Sequence, residues 1–309
     1  MSSIAHNHYP KMVWRDGVRS LWNPIHKKTL KNRPEERVRL RIIEALVEAG
    51  WSRHRISTEE ALRSREQKTR RTDIICYDQE FNPKILVECK AERVPISAGV
   101  AEQTARYNRA VNAPYLLMSN GLTDCWYRIP GQGKPDRLES VPSLLDIPAQ
   151  PPPREYTYWK ERGFTGEKTT DSTLRNWLTS VLNSLWNSNR GEIRYINFSN
   201  SPSELPMEHY FRIFQLNQGR VALGIQNTPF GGTRLLAVIN RENQNVGLID
   251  LNLDLVATET SPNATIYSET KTQNFDLHAH APFKLDAEPD PETISKLPAH
   301  LDALFDELV

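Results

Sequence analysis

The chain is poor in cysteine and has no long apolar run. Its three cysteines, Cys76, Cys89 and Cys125, are odd in number and lack CxxC spacing, so they supply no zinc site and read as reduced core thiols. No stretch approaches the roughly 18 to 20 apolar residues that a membrane span needs, and the opening MSSIAHNHYP has neither a charged n-region nor an apolar h-region. A soluble, cytoplasmic protein with no membrane partner is expected. A GxxxxGK[ST] phosphate loop is also missing, so ATP-driven translocation is not expected of this chain.

Net charge of one sign is lacking too, since 39 Lys and Arg against 38 Asp and Glu leave +1. The balance hides an asymmetry. Residues 1–150 carry 25 basic and 18 acidic side chains, whereas residues 151–309 carry 14 and 20, giving halves of +7 and −6. A basic half suits contact with a polyanion, although a solvated surface would look the same in composition.

The 309 residues favour about two domains. The seam is Ile147-Pro148-Ala149-Gln150-Pro151-Pro152-Pro153-Arg154, where consecutive prolines remove backbone donors and impose an extended path. The expected organisation is a first domain over 1–147, a proline-rich linker over 148–154, and a second domain over 155–309.

In the first domain, Pro34-Glu35-Glu36 predicts a helix start, with proline in the first turn and acids against the positive end of the dipole. The helix runs to Ala49, where Gly50 ends it. Glu35 and Arg39 project near the middle of its apolar face, either as an i,i+4 pair at the rim or as parts of a site. A short strand around 54–58 precedes a basic stretch, Arg63, Arg65, Lys68, Arg70 and Arg71. Strands are expected at 73–77 and 85–90, joined by the turn-forming 78–83, as an antiparallel hairpin. A helix over about 99–111, a buried strand at 115–119, an Asn120-Gly121 turn and a last strand at 125–129 complete the order.

The chemistry concentrates on that hairpin. Strand alternation puts Glu88 and Lys90 on one face, and a hairpin of this length brings Asp73 near Glu88. An acid and a base at the end of an apolar strand are costly unless paired, hydrogen-bonded or metal-bound, and two close carboxylates repel unless a divalent cation lies between them. Hard carboxylate oxygens suit Mg2+, with Mn2+ able to substitute. Lys90 would then orient or deprotonate a water, or stabilise charge on a phosphate. A structural acid-lysine pair at a sheet edge is the alternative.

Asp73 followed by Ile85-Leu86-Val87-Glu88-Cys89-Lys90 resembles the D…(D/E)xK signature of the PD-(D/E)XK nucleases. Gln103 and Tyr107 match the QxxxY motif of the subset that includes the N-terminal nuclease domain of type I restriction enzyme R subunits. The stretch 21–129 resembles that domain through Pro34-Glu35-Glu36, Thr72-Asp73-Ile74, Glu102-Gln103 and Ser119-Asn120-Gly121. Leu40 departs from the glutamine that such domains often carry in the first helix.

The resemblance implies a restriction-endonuclease-like mixed β-sheet flanked by helices, of the α/β (α+β) class. It implies Asp73 and Glu88 as metal ligands, with Lys90, Gln103, Tyr107 and Glu35 completing the catalytic set; Glu36 is the alternative to Glu35. The implied activity is Mg2+-dependent hydrolysis of DNA phosphodiesters, of the restriction or phage-defence type, with Arg63, Arg65, Lys68, Arg70 and Arg71 contacting DNA. An RNA substrate, or a catalytically silent nuclease-fold binding module, stands beside it.

The second half is less telling. A helix is expected over 172–188, then mainly antiparallel strands around 210–214, 221–225, 235–239 and 246–250, and a terminal amphipathic helix over 291–309. Phe230-Gly231-Gly232-Thr233 reads as a hairpin turn. His278 and His280 could share a strand face and hold a metal, but no third ligand is evident. A partner-binding or substrate-positioning role is expected of this α+β domain.

Overall fold

The computed structural model describes residues 1–59, 61–62, 70–130, 135–148, 151–188, 191–199, 201–202, 205–280, 285 and 288–309, with main chain alone for 61, 62, 70, 71, 98, 100–103, 106 and 107. The chain divides into two compact units, Met1–Ala149 and Gln150–Val309.

The first unit opens with an antiparallel meander, β1 (Met12–Arg15), β2 (Val18–Asn23) and β3 (Lys28–Lys31). These strands escape a sequence reading because they are short and interrupted by charge, so their alternation is weak. Helix α1 (Pro34–Glu48) follows, with Pro34 in its first turn, and Gly50 in the left-handed region at φ 89° just beyond its end. Then come β4 (Ile56–Thr58), β5 (Ala61–Leu62), β6 (Arg70–Arg71), β7 (Ile74–Tyr77), β8 (Pro83–Cys89), α2 (Ala98–Val111), β9 (Tyr115–Ser119), β10 (Asp124–Arg128) and β11 (Asp136–Leu138).

Six of these strands form one mixed sheet in the order β11-β10-β9-β8-β7-β4. β7 and β8 are the antiparallel hairpin expected from sequence, closed by Asp78, whose Oδ1 accepts from the main-chain N–H of Glu80 and Asn82 at 3.0 and 2.8 Å. β8 and β9 are parallel, which requires a crossover, and α2 supplies it. Ile75, Leu86, Val111, Ala113 and Leu116 make a buried cluster between sheet and crossover.

Helix α1 buries three arginines, Arg37, Arg39 and Arg41. The Arg41 guanidinium donates to Glu92 Oε1 at 2.6 Å, to the carbonyls of Ala5 and Gly121 at 3.0 and 3.1 Å, and to that of His8 at 2.9 Å. It fastens the N-terminal residues to the turn after β9. Gly121 is required there: its φ is +79°, and a Cβ would come within 3.0 Å of the Arg41 Nη1.

The second unit contains α3 (Tyr156–Glu161), α4 (Ser172–Leu185), β12 (Glu192–Asn197), β13 (Glu208–Leu216), β14 (Gly219–Asn227), β15 (Thr233–Arg241), β16 (Gln244–Asn252), α5 (Leu253–Ala257), β17 (Ala264–Ser268), β18 (Thr272–Phe275), α6 (Leu277–His280) and α7 (Pro291–Leu308). Its seven strands are antiparallel and adjacent in chain order. Phe230-Gly231-Gly232 is the connection between β14 and β15, a hairpin turn as its composition suggests.

Helix α7 packs on the sheet so closely that a Cβ on Gly247 would lie 1.9 Å from the ring of Phe305. The opposite face carries Phe211, Leu236, Val238 and Leu248, covered by Leu205 and Met207. His278 and His280 lie in α6, not on a strand; His278 Nε2 faces the Val256 carbonyl at 3.4 Å and His280 Nδ1 faces Glu307 at 3.7 Å. The strand-face metal pair is thereby excluded, because a helical turn sends residues two apart in different directions. No helix among the described residues is long and apolar enough to cross a membrane.

Candidate active site

The pairing of β7 with β8 places Ile74 opposite Val87 and Ile75 opposite Leu86. Extending that register by one residue puts Asp73, immediately before β7, opposite Glu88, so the two side chains leave the same face of the hairpin. Lys90 follows β8 by one residue and returns to the side of Glu88 by alternation. Its main-chain N–H donates to the Ser119 carbonyl at 2.8 Å, so the parallel neighbour β9 holds the end of the strand in place.

Each group at this strand end is engaged. Asp73 Oδ2 accepts from the main-chain N–H of Cys89 at 2.7 Å, and its Oδ1 accepts from Arg39 Nη2 at 2.7 Å. Glu88 Oε1 accepts from Lys90 Nζ at 2.6 Å. Arg39 Nη1 also donates to Glu36 Oε1 at 2.8 Å and lies 3.7 Å from Glu59 Oε1. One guanidinium thus bridges the first turn of α1 to the start of β7.

Acid outnumbers base here, and the proton affinities show it. Burial raises the Glu88 carboxyl above its ordinary value, and the charges of Asp73 and Glu35 raise it further against the lowering pull of Lys90. Burial raises Glu36 likewise, with Glu59 and Asp73 adding to it and Arg39 opposing. Burial alone would lower the Lys90 ammonium, but its hydrogen bond to Glu88 and the charges of Glu88, Asp73 and Glu35 carry it upward. Cys89 is fully buried and its thiol is held well above the usual range, first by desolvation and then by Asp73, so it stays protonated beside the site.

Asp73, Glu88 and Lys90 are therefore assembled in one place, and Glu35, exposed on the first turn of α1, is near enough for its charge to be felt at Glu88 and Lys90. The i,i+4 pair of Glu35 with Arg39 does not form: Arg39 takes Glu36 at i−3 instead, because Asp73 draws the guanidinium to that side. Gln103 and Tyr107 lie four residues apart on α2, but their side chains are outside the described residues. Arg63, Arg65 and Lys68 lie wholly outside them. Arg70 and Arg71 are described by main chain alone, paired in β6 with Leu62 and Ala61.

Arg39 and Glu36 complete the cluster from α1, where the sequence offers Arg39 as a partner of Glu35 and Glu36 as the alternative to Glu35. The available signal is the pair of charges on the apolar face of α1, which burial makes costly without partners. Among the described residues no group of three or more His, Cys, Asp or Glu is gathered as a metal cage. Two carboxylates with hard oxygens nevertheless fit a magnesium ion, which keeps several waters and takes one or two protein carboxylates. Glu36 Oε2 and Arg39 Nε are both buried without a hydrogen-bond partner, so the cluster does not satisfy all of its own polar atoms.

Residues 34–142 match the family model of the type I restriction enzyme R protein N terminus (HSDR_N). The matched stretch begins with α1 and takes in all six strands of the mixed sheet. The meander β1–β3 and the whole second unit lie outside it. No curated protein matches the chain. This segment is similar to a restriction-enzyme-type N-terminal domain.

Proposed function

We propose that the first unit is a magnesium-dependent nuclease that hydrolyses DNA phosphodiester bonds, of the restriction or phage-defence type, acting in the cytoplasm and without an ATP-driven motor supplied by this chain. The observation that carries the reading is the register that sets Asp73 opposite Glu88 with the Lys90 ammonium 2.6 Å from Glu88 Oε1. Asp73 and Glu88 would hold the metal, and Mn2+ would replace it. When bound, the ion polarises a phosphate oxygen and acidifies a water.

The protein groups have separate tasks. Asp73 is held in one orientation by the Cys89 N–H and Arg39, so one carboxylate is fixed before substrate arrives. Lys90 would turn from Glu88 to the reacting phosphate, where its charge opposes the negative charge that develops during attack. Gln103, Tyr107 and Glu35 would complete the set, and the basic residues Arg63, Arg65, Lys68, Arg70 and Arg71 would bind the DNA backbone. The second unit would position substrate or bind a protein partner.

A second reading, a catalytically silent DNA-binding module, is favoured by the ion pairs in which Asp73 meets Arg39 and Glu88 meets Lys90. Two measurements on the purified protein separate the two. Plasmid and linear DNA should be cut in Mg2+ or Mn2+ and left intact in chelator. Mg2+ should also raise the melting temperature, by an amount equivalent to about 2.7 kcal/mol at a hundredfold excess over its dissociation constant, and Asp73→Asn or Glu88→Gln should remove that gain. No cleavage together with no metal-dependent shift would leave the silent module.

A further inference from the structure

The basic character of the first half is concentrated in a small element. Residues 11–33, which span the β1–β3 meander, contain seven Lys or Arg (Lys11, Arg15, Arg19, Lys27, Lys28, Lys31 and Arg33) against Asp16 alone. That net +6 is almost the whole of the +7 carried by residues 1–150. Five of the cations, Arg15, Lys27, Lys28, Lys31 and Arg33, are exposed, whereas Arg19 is buried with its guanidinium 4.9 Å from the ring centroid of Trp14.

The pairing sorts the meander into two faces. Met12 pairs with Leu21 and Leu21 with Leu30, which makes one apolar face. By alternation the other face carries Arg15, Ser20, Thr29 and Lys31 together with Val13, the exposed Val18 and Trp22, and Arg15 Nη1 donates to Thr29 Oγ1 at 3.0 Å across β2, which confirms that they share a side. Lys27 and Lys28 stand at the β2–β3 turn. That turn is anchored, since His26 Nε2 and Thr58 Oγ1 of β4 are 2.7 Å apart. Arg33 is the cap residue of α1, whose first turn carries Glu35 and Glu36 of the candidate site. The cationic face therefore runs along the chain directly into the acidic strand-end cluster.

We infer that the solvent face of the β1–β3 meander is a second DNA-contacting surface, which grips the phosphate backbone of duplex DNA. Charge complementarity selects a polyanion: clustered cations and hydroxyls on a rigid sheet are the groups that position a phosphate backbone. Duplex is selected over single strands because the latter are held by stacking bases on exposed aromatic rings. Trp22, the ring on this face, is half-buried, and no aromatic ring of the meander is among the exposed large apolar side chains. The inference rests on DNA being the substrate of the matched domain, and it extends the contact beyond that domain, since the match begins at Pro34.

The test uses the full chain in chelator, so that binding is read without cleavage. Labelled duplex DNA is titrated at several salt concentrations with the parent, with the variant Arg15→Gln, Lys27→Gln, Lys31→Gln and Arg33→Gln, and with a control that removes four exposed cations of the second unit, Lys168→Gln, Arg194→Gln, Lys271→Gln and Lys296→Gln. Each phosphate contact contributes about −0.9 to the slope of log K against log salt, so loss of two to four contacts should make the slope shallower by about 1.8 to 3.6. The control should leave it within half a unit of the parent.

An unchanged slope in the meander variant, an equal loss in the control, or a loss seen with single-stranded RNA but not with duplex DNA would each overturn the inference. Circular dichroism confirms that the variants are folded, and a Lys-for-Arg and Arg-for-Lys exchange at the same four positions should restore the slope. The two readings fail separately. A parent that cuts DNA while the meander variant keeps its slope retains the nuclease reading alone, and a parent that binds through the meander but never cuts retains this surface alone.

Discussion

Both units bury charge, and they do it in opposite ways. In the second unit the buried aspartates Asp250 and Asp302 each meet an arginine: Arg234 Nη1 lies 3.1 Å from Asp250 Oδ2, and Arg241 takes Asp302 at 2.8 Å and the more exposed Asp306 at 3.1 Å. Burial raises the Asp250 carboxyl to about 6, and Arg234 opposes the rise through its charge and hydrogen bond. In the first unit Glu36, Glu59, Asp73, Glu88 and Glu35 converge on Arg39 and Lys90; the charges of Glu59 and Asp73 add to the burial that raises Glu36, and those of Asp73 and Glu35 to the burial that raises Glu88. A closed pair needs nothing further. A surplus of acid at a strand end stores electrostatic cost that a divalent cation would relieve, which is the mark of a site as opposed to a scaffold.

The sharpest way to break this contrast is Arg39→Ala. Arg39 is one-tenth exposed and serves two partly buried acids, so its loss should cost about 3 kcal/mol of stability in denaturant titration. Added Mg2+ should return part of that loss if the acids form a cation site. A cost below about 1 kcal/mol would place Arg39 among surface pairs and dissolve the distinction between the units.

Next in size is Lys90→Ala, which should slow DNA cleavage by at least about a hundredfold, the range seen when one group stabilising a transition state is removed. The melting temperature should move little, because Lys90 is partly exposed and its one acid partner can be rehydrated. A variant that cuts as fast as the parent would return Lys90 to the structural role that Arg234 has in the second unit.

The buried aspartates sharpen the comparison through pH. Burial pushes Asp124 in the first unit and Asp250 in the second up to about 6, against 3.8 for an ordinary aspartate. The folded state therefore binds more protons than the unfolded chain between about pH 4 and 6. Stability from these groups is complete below about pH 4 and declines as pH rises through 6, by about 1.4 kcal/mol per unit for each. Asp124→Asn and Asp250→Asn should each flatten that decline, read as melting temperature against pH. A parent whose stability rises over this interval on account of these groups would reverse the sign of the argument.

The smallest effect belongs to an exposed pair. Lys296 and Glu292, 2.5 Å apart on α7 at i,i+4, are more than half exposed, and Lys296→Ala should cost no more than about 0.5 kcal/mol in thermal unfolding. A larger loss would mean that exposure is a poor guide to which ion pairs carry energy here.

Local chemistry made much of this legible in advance. Pro34 with two acids after it marks the start of α1, Asp78 and Asn82 mark the turn between β7 and β8, and Leu174, Trp177, Leu178, Val181, Leu182 and Leu185 recur at helical spacing and are all buried in α4. The β1–β3 meander was not legible, because strands of four to six residues rich in Lys and Arg carry too little alternation to stand out. The two-residue spacing of His278 and His280 suits a strand face, but both lie in α6.

The sequence by itself determined the kinds of groups available and their local geometry: an acid before one strand, an acid and a lysine two apart at the end of the next, and a turn short enough to pair them. Period-two alternation and turn chemistry are properties of a few neighbouring residues, so no long-range contact is needed to read them. Tertiary structure decided which charges meet across the fold. Arg39 reaches Asp73 over 34 residues, Arg41 reaches Gly121 over 80, and Arg39 chooses Glu36 over Glu35 because of where Asp73 stands. Such choices depend on distances between elements that pack on one another, and Coulomb attraction and desolvation act through those distances with no regard to separation along the chain.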